Sequence, residues 1–283
     1  MHFAVGLPNL YAYADPHLLV ALARETEAAG WDGLFLWDHV VATESPSAPA
    51  VDPWVAIAAI AAHTERIELG IMIVPLARRR PWQVARQAVG VDLLSGGRFR
   101  LGVGLGSAHY TEFEALGEDP DLRVRADRLD EGLEILAGLW TGEPFKFEGR
   151  YHQISEAQFL PVATRTPRIP IWVAGTWPNR RPFRRAARWD GVFPTFSGVG
   201  HTEMPTPETL GEAVGYALEH RTVAGPFDIV LEGQTGGEDR AADADKVAAY
   251  ARQGLTWWVE KLGWFRGSPE EVRDRIRRGP PRP

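Results

Sequence analysis

Short apolar runs alternate along the chain with longer amphipathic segments. Runs such as 33–37 (GLFLW) and 67–74 (IELGIMIV) are apolar at nearly every position rather than at every second one. Such continuous runs are typical of strands that are covered on both faces, as the strands of parallel sheets are. The pattern predicts eight such strands, at 3–8, 33–37, 67–74, 99–104, 169–173, 191–196, 227–232 and 255–259.

A predicted helix follows each strand, and its ends carry recognisable signals. Asp15-Pro16 and Asp52-Pro53 each place an N-cap aspartate before a proline at the first helical position. Gly30 closes the first helix as a C-terminal glycine. The helices are predicted at 16–29, 53–64, 82–94, 123–139, 182–188, 207–220, 241–252 and 269–278.

Eight strand–helix units fit the ~250 residues of a (β/α)₈ TIM barrel, and we predict this fold for a single domain, 1–283. Residues 142–155 interrupt the repeat and predict a hairpin excursion that turns at Glu148-Gly149. An open, doubly wound sheet is the alternative fold, because the strand pattern alone does not show closure.

Composition and charge narrow the class of protein. The 283 residues are 45% hydrophobic and 24% charged, and they include no cysteine, which excludes disulfides, thiol nucleophiles and thiolate metal sites. A formal net charge of −6 disfavours nucleic-acid binding. The N-terminal segment lacks the pattern of a signal peptide, and no apolar run reaches the ~18 residues of a membrane span. We therefore expect a cytoplasmic protein with neither a nucleic-acid nor a membrane partner.

The catalytic groups of a barrel lie at the carboxyl ends of its strands, which nominates a short set of residues. His39 is the leading candidate, because a histidine can donate and accept protons near neutral pH and the neighbouring Asp38 could bias its charge. The histidines show no metal-binding spacing, so no metal site is predicted. Other residues at strand ends are Trp37, Met72, Ile73, Gly104, Gly106, Ser107, His109, Ala174, Gly175, Thr176, Thr195, Glu232, Gln234 and Glu260.

Two of these strand ends have sequences that suggest contact with a ligand. The segment LGVGLGSAH lacks the third glycine of a dinucleotide-binding motif, so Gly104 and Gly106 indicate either close backbone approach to a ligand or tight barrel geometry. The loop AGTWPNRR joins the small residues 174–176 to a helix start, which predicts an anion site with Arg180 or Arg181 as an added charge.

These segments together resemble the luciferase-like family of flavin- or deazaflavin-dependent oxidoreductases. The matching stretches are GWDGLFLWDHV (30–40), DPWVAIAAIAAHTERIELG (52–70), RRRPWQVARQAVGVDLLSGGRFRLGVGLG (78–106), EGRYHQ (148–153), IPIWVAG (169–175) and LTWWVE (255–260). The resemblance implies a TIM barrel with the flavin ring across the strand ends and a cis peptide at Met72–Ile73. It also implies that His39 lies beside the reacting ring edge and that residues 174–176 contact the cofactor phosphate.

From the resemblance we predict a monooxygenase that acts on a small organic substrate with reduced FMN and O₂. Two alternatives are hydride transfer with coenzyme F420 and a flavin-binding barrel without catalysis. Ser107 stands where F420-dependent dehydrogenases of the family carry glutamate, which weakens the F420 alternative, although Glu260 could substitute. By analogy we expect a homodimer and a separate flavin reductase as partner. The predicted substrate pocket uses Glu260 and a rim of tryptophans, Trp37, Trp172, Trp177 and Trp258.

Overall fold

The computed structural model describes residues 1–42, 45, 47–106 and 112–282. Its strands are β1 (His2–Leu7), β2 (Gly33–Leu36), β3 (Glu68–Pro75), β4 (Phe99–Gly104), β5 (Phe145–Glu148), β6 (Gln153–Ala157), β7 (Ile171–Trp177), β8 (Gly191–Phe196), β9 (Asp228–Gly233) and β10 (Trp257–Lys261). Its helices are α1 (Pro16–Ala28), α2 (Pro53–His63), α3 (Pro81–Ser95), α4 (Leu122–Leu139), α5 (Arg180–Ala186), α6 (Pro207–Glu219), α7 (Arg240–Ala251) and α8 (Pro269–Arg277).

Eight parallel strands close into a barrel in the order β1-β2-β3-β4-β7-β8-β9-β10. Closure comes from the pairing of β1 with β10, where His2 lies beside Trp257 and Gly6 beside Lys261. The remaining strands, β5 and β6, form the antiparallel hairpin between α4 and β7. The TIM barrel and its hairpin excursion are therefore confirmed, and the open sheet is excluded.

The helix ends follow the signals in the sequence. The Asp15 carboxylate accepts a hydrogen bond from the backbone N–H of His17, and Asp52 accepts one from the N–H of Trp54. Gly96 caps the C-terminal end of α3, and its φ of 67° suits glycine because glycine has no Cβ. In the part of the chain that the structure describes, no helix has the length and apolar character needed to cross a membrane.

The core has two layers, and the tryptophans are divided between them. The inner cluster draws only on barrel strands and includes Phe35, Trp172 and Trp257, whereas Trp258 belongs to the outer layer between strands and helices. Trp172 and Trp258 are fully buried. The prediction that Trp172 and Trp258 form a pocket rim is wrong. Their strands are covered on both faces, so both side chains lie in the core.

Candidate active site

A cavity of about 580 Å³ opens where the carboxyl ends of the barrel strands meet. Its size is typical of sites for small ligands. Most of the residues predicted for the site lie on its wall, namely Trp37, Asp38, His39, Met72, Ile73, Gly104, Gly106, Ala174, Gly175 and Thr176. The cavity also includes Glu232 and Thr195, which were nominated only by their place at strand ends. The predicted Ser107 and the candidate His109 lie outside the described residues.

One wall of the cavity is formed by tightly fitted backbone from β3 and β4. The Met72–Ile73 peptide is cis, as predicted, and the pairing of β3 with β4 shifts register between Ile71 and Val74. A Cβ placed on Gly104 would come within 2.8 Å of the Ile73 side chain and 3.2 Å of Ala174. Glycine at this position therefore lets β4 approach the cis peptide closely.

The neighbouring wall, at the ends of β7 and β8, is polar. The Thr176 and Thr195 hydroxyl oxygens lie 2.8 Å apart, and the side chain of Asn179 makes no capping bond at the start of α5. All three residues line the cavity. Two hydroxyls and an amide can bind an oxygen-rich group by hydrogen bonds.

Trp177 and Arg180, which were predicted for the site, lie on the outer side of β7. Side chains alternate along a strand, so Trp177 points away from the cavity that Thr176 faces. The Trp177 ring packs against Phe183 at 5.2 Å between centroids. The Arg180 guanidinium lies 4.4 Å from the centre of the Tyr216 ring. Neither residue lines the cavity, so the roles predicted for them are wrong.

Glu260 is also turned away from the cavity, and its predicted place in the substrate pocket is wrong. The buried carboxylate accepts hydrogen bonds from the Thr235 N–H and hydroxyl, both at 2.7 Å, and from the Trp258 indole at 3.0 Å. It also lies 3.3 Å from Arg266 and 3.4 Å from Arg275. Glu260 thus holds together the segments that follow β9 and β10.

His39 is paired with a carboxylate that the sequence analysis missed. The Glu112 side chain is 1% exposed, and its Oε1 atom lies 3.2 Å from His39 Nδ1. The same oxygen accepts the backbone N–H of Val40 at 2.9 Å. Glu112 follows the end of β4 after a segment without a repeating pattern, so no sequence signal points to it.

Asp38 was predicted to bias the charge of His39, but it forms an ion pair with Arg79 instead. Arg79 donates to both Asp38 carboxylate oxygens, at 2.8 and 2.6 Å, and the Asp38 side chain is fully buried. Arg78 lies between the two acids, with its Nη2 atom 3.7 Å from Asp38 Oδ1 and 3.7 Å from Glu112 Oε2. Asp38 therefore anchors the loop after β2, and Glu112 is the carboxylate that contacts His39.

The pKa of Glu112 lies below its ordinary value. Burial acts to raise this pKa, but the hydrogen bond from His39, the charge of Arg78 and the Val40 N–H together outweigh burial. A lowered pKa stabilises the fold above the ordinary value of about 4.3, and this contribution is lost as the pH falls through the lowered value.

We expect Glu112→Gln to lower the free energy of unfolding at pH 6 more than at pH 3. Urea denaturation of both proteins at the two pH values measures the difference, and an equal loss at both would contradict it.

A second polar cluster stands on the cavity wall at the ends of β9 and β10. Glu232 accepts a hydrogen bond from the Trp37 indole at 2.9 Å and lies 3.5 Å from the Lys261 ammonium. Lys261 donates to the His201 carbonyl at 3.0 Å, and His201 packs edge-on against Trp37. Sequence reasoning missed Lys261 and His201. In the described ranges, no group of three or more histidine, aspartate and glutamate side chains is placed to hold a metal ion.

Comparison with known proteins shows the family to which the chain is similar. The family model for luciferase-like monooxygenases matches residues 1–204. The uncharacterized protein Rv0940c of Mycobacterium tuberculosis is 33% identical over 237 residues, which are 77% of each chain. An F420-dependent glucose-6-phosphate dehydrogenase of Beutenbergia cavernae is 33% identical over 222 residues, and the match covers 77% of this chain and 63% of the relative.

Solved structures share the fold at lower identity. An F420-dependent secondary alcohol dehydrogenase superposes with a TM-score of 0.78 at 16% identity, covering 98% of this chain and 97% of that one. The monooxygenase RslO1 from Streptomyces bottropensis gives a TM-score of 0.74 at 19% identity with the same coverage. Because the family model covers most of the chain and the barrel agrees, this protein belongs to the luciferase-like monooxygenase family.

Proposed function

We propose that this protein is an oxidoreductase that binds a flavin-type cofactor in the cavity at the barrel rim. The observation that carries the proposal is the meeting of His39, the Met72–Ile73 peptide and the polar ends of β7 and β8 around one cavity of about 580 Å³. The apolar walls suit a flat ring, and they include Met72 and Phe193. Thr176, Asn179 and Thr195 would bind its oxygen-rich tail.

Coenzyme F420 is the cofactor that we favour, with FMN second. Curated relatives named F420-dependent glucose-6-phosphate dehydrogenase are 29–33% identical over 58–77% of this chain. The FMN-containing diketocamphane monooxygenase is 21% identical, a level that supports the fold alone. We therefore reverse the order that the sequence analysis gave. The FMN alternative would also require a reductase partner that supplies reduced FMN.

We propose an alcohol, including the alcohol groups of sugar phosphates, as the substrate class. When bound, F420 supplies the acceptor for a hydride from the alcohol carbon. His39 would take the hydroxyl proton at Nε2, since its Nδ1 faces Glu112. Glu232 and Lys261 would orient a second polar group of the substrate, and Trp37 would limit access of water.

Binding of oxidised F420 under anaerobic conditions tests the proposed site. We expect saturable binding that Ala174→Phe weakens by about tenfold or more, because the added ring occupies the cavity. Ala62→Phe, on the exposed surface of α2, is the matched control and should bind like the wild type. The measurement is quenching of F420 fluorescence, with FMN titrated in parallel.

The two titrations have distinct outcomes. Saturable binding of F420 with weak binding of FMN supports the favoured cofactor, and the reverse result returns FMN to first place. Equal binding by Ala174→Phe and wild type would contradict the site. Oxidation of alcohols and sugar phosphates is then screened by the bleaching of F420 absorbance.

A further inference from the structure

Glu112 contacts one ring nitrogen, Nδ1, of His39, the proposed catalytic histidine. Its Oε1 atom faces His39 Nδ1 at 3.2 Å and accepts the Val40 N–H at 2.9 Å. Its side chain is 1% exposed, whereas the His39 side chain is 26% exposed and lines the cavity. The Nδ1 side of the imidazole is therefore held by Glu112, and the Nε2 side is left for a ligand.

The contact fixes the tautomer of neutral His39. An ionised carboxylate only accepts hydrogen bonds, so a hydrogen bond between Glu112 and Nδ1 requires a proton on Nδ1. In a neutral imidazole the other nitrogen, Nε2, is then without a proton and can accept one. The same carboxylate stabilises the imidazolium that forms when Nε2 takes a proton.

The charges around this pair favour an ionised Glu112. Arg78, whose side chain is 3% exposed, lies 3.7 Å from Glu112 Oε2 and donates to the Asp38 carbonyl at 2.7 Å. Both Asp38 carboxylate oxygens are engaged by Arg79, so Asp38 does not compete for His39. Arg125, on α4, adds a further positive charge near Glu112: burial and the charge of Arg78 lower the pKa of Arg125, and the charge of Glu112 acts to raise it.

We propose that Glu112, with Arg78 as its counter-charge, is a positioning residue that holds His39 in the Nδ1–H form so that Nε2 serves as the proton acceptor. The role of His39 in turnover rests on the proposed function. The tautomer of the His39 ring does not depend on the proposed function, and it can be measured in the protein without cofactor or substrate.

Nuclear magnetic resonance of ¹⁵N-histidine-labelled protein across pH 5 to 9 tests the proposal, with the His39 signals assigned by their loss in His39→Asn. We expect the Nδ1–H tautomer for neutral His39 in the wild type. Glu112→Gln should give a mixture of the Nδ1–H and Nε2–H tautomers of His39, because a glutamine amide can donate as well as accept a hydrogen bond. Glu118→Gln is the control, because this more exposed acid pairs with Arg128 instead.

Two results would overturn the proposal. One is a wild type whose neutral His39 carries its proton on Nε2, a result that needs no variant and so does not depend on whether Glu112→Gln folds. The other is an unchanged tautomer in folded Glu112→Gln. If turnover is found, kcat should fall in Glu112→Gln, whose His39 is no longer held in the Nδ1–H form, and should stay at the wild-type value in Glu118→Gln. If no turnover is found, the proposed function fails, and the magnetic resonance data still decide the role of Glu112.

Discussion

Replacement of His39 by alanine is expected to lower kcat by about 10²- to 10⁴-fold, the usual contribution of a general acid or base. The cavity wall retains Met72, Ile73 and Thr176, so F420 affinity should stay close to that of the wild type. Stopped-flow reduction of bound F420 by the substrate found in the alcohol screen measures the step directly.

His63→Ala is the matched control for this variant. His63 is exposed at the end of α2, and its Nδ1 contacts the Ala59 carbonyl 2.8 Å away. The control should react at the wild-type rate. If His39→Ala reduced F420 as fast as His63→Ala, His39 would not be the group that exchanges the proton.

Replacement of Glu260 by alanine is expected to lower the free energy of unfolding by about 3–5 kcal/mol, because it leaves a buried charge without its partner. Arg275, whose side chain is 5% exposed, lies 3.4 Å from Glu260 and would keep its charge in the interior. The Thr235 N–H and the Trp258 indole would also lose their acceptor. Urea denaturation followed by circular dichroism measures the change.

Glu232→Ala provides the contrast, since Glu232 is also an acid at the end of a barrel strand but faces the cavity. Its partner Lys261 keeps a hydrogen bond to the His201 carbonyl and Glu232 is at the cavity wall, so the loss of stability should be smaller than in Glu260→Ala. Glu232→Ala should instead raise the KM of the substrate. A stable Glu260→Ala protein with a raised KM would return Glu260 to the substrate pocket.

The fold could be predicted from the sequence because its signals are local and repeated. Continuous apolar strands indicate burial on both faces, and N-cap aspartates with proline mark where helices begin. Once a barrel is assumed, active-site residues are expected at strand ends. This geometry placed His39, Met72, Gly104 and Thr176 correctly on the cavity wall.

Continuous apolar strands did not show which side chains point inward. A shift of one residue moves a side chain to the other face of a strand, and without polar alternation both choices look alike. Thr176 therefore faces the cavity while the next residue, Trp177, packs against α5. The same alternation turns Glu260 away from the cavity that Lys261 lines.

Glu112 was missed for a different reason. It contacts His39 across 73 residues of sequence, and the segment before it carries no repeating pattern that fixes its position. The parallel pairing of β2 with β3 and of β3 with β4 brings the ends of β2 and β4 to the same rim. Asp38 was the wrong choice because adjacency in sequence does not reveal that Arg79 engages both of its carboxylate oxygens.

A crystal structure of the protein with F420 bound is the most direct measurement of where the cofactor lies. We predict electron density for the ring within the rim cavity, in contact with the Met72–Ile73 peptide and His39. Density instead in the outer groove lined by Arg80, Trp82 and Tyr151, with the rim cavity filled by solvent, would contradict the proposed site.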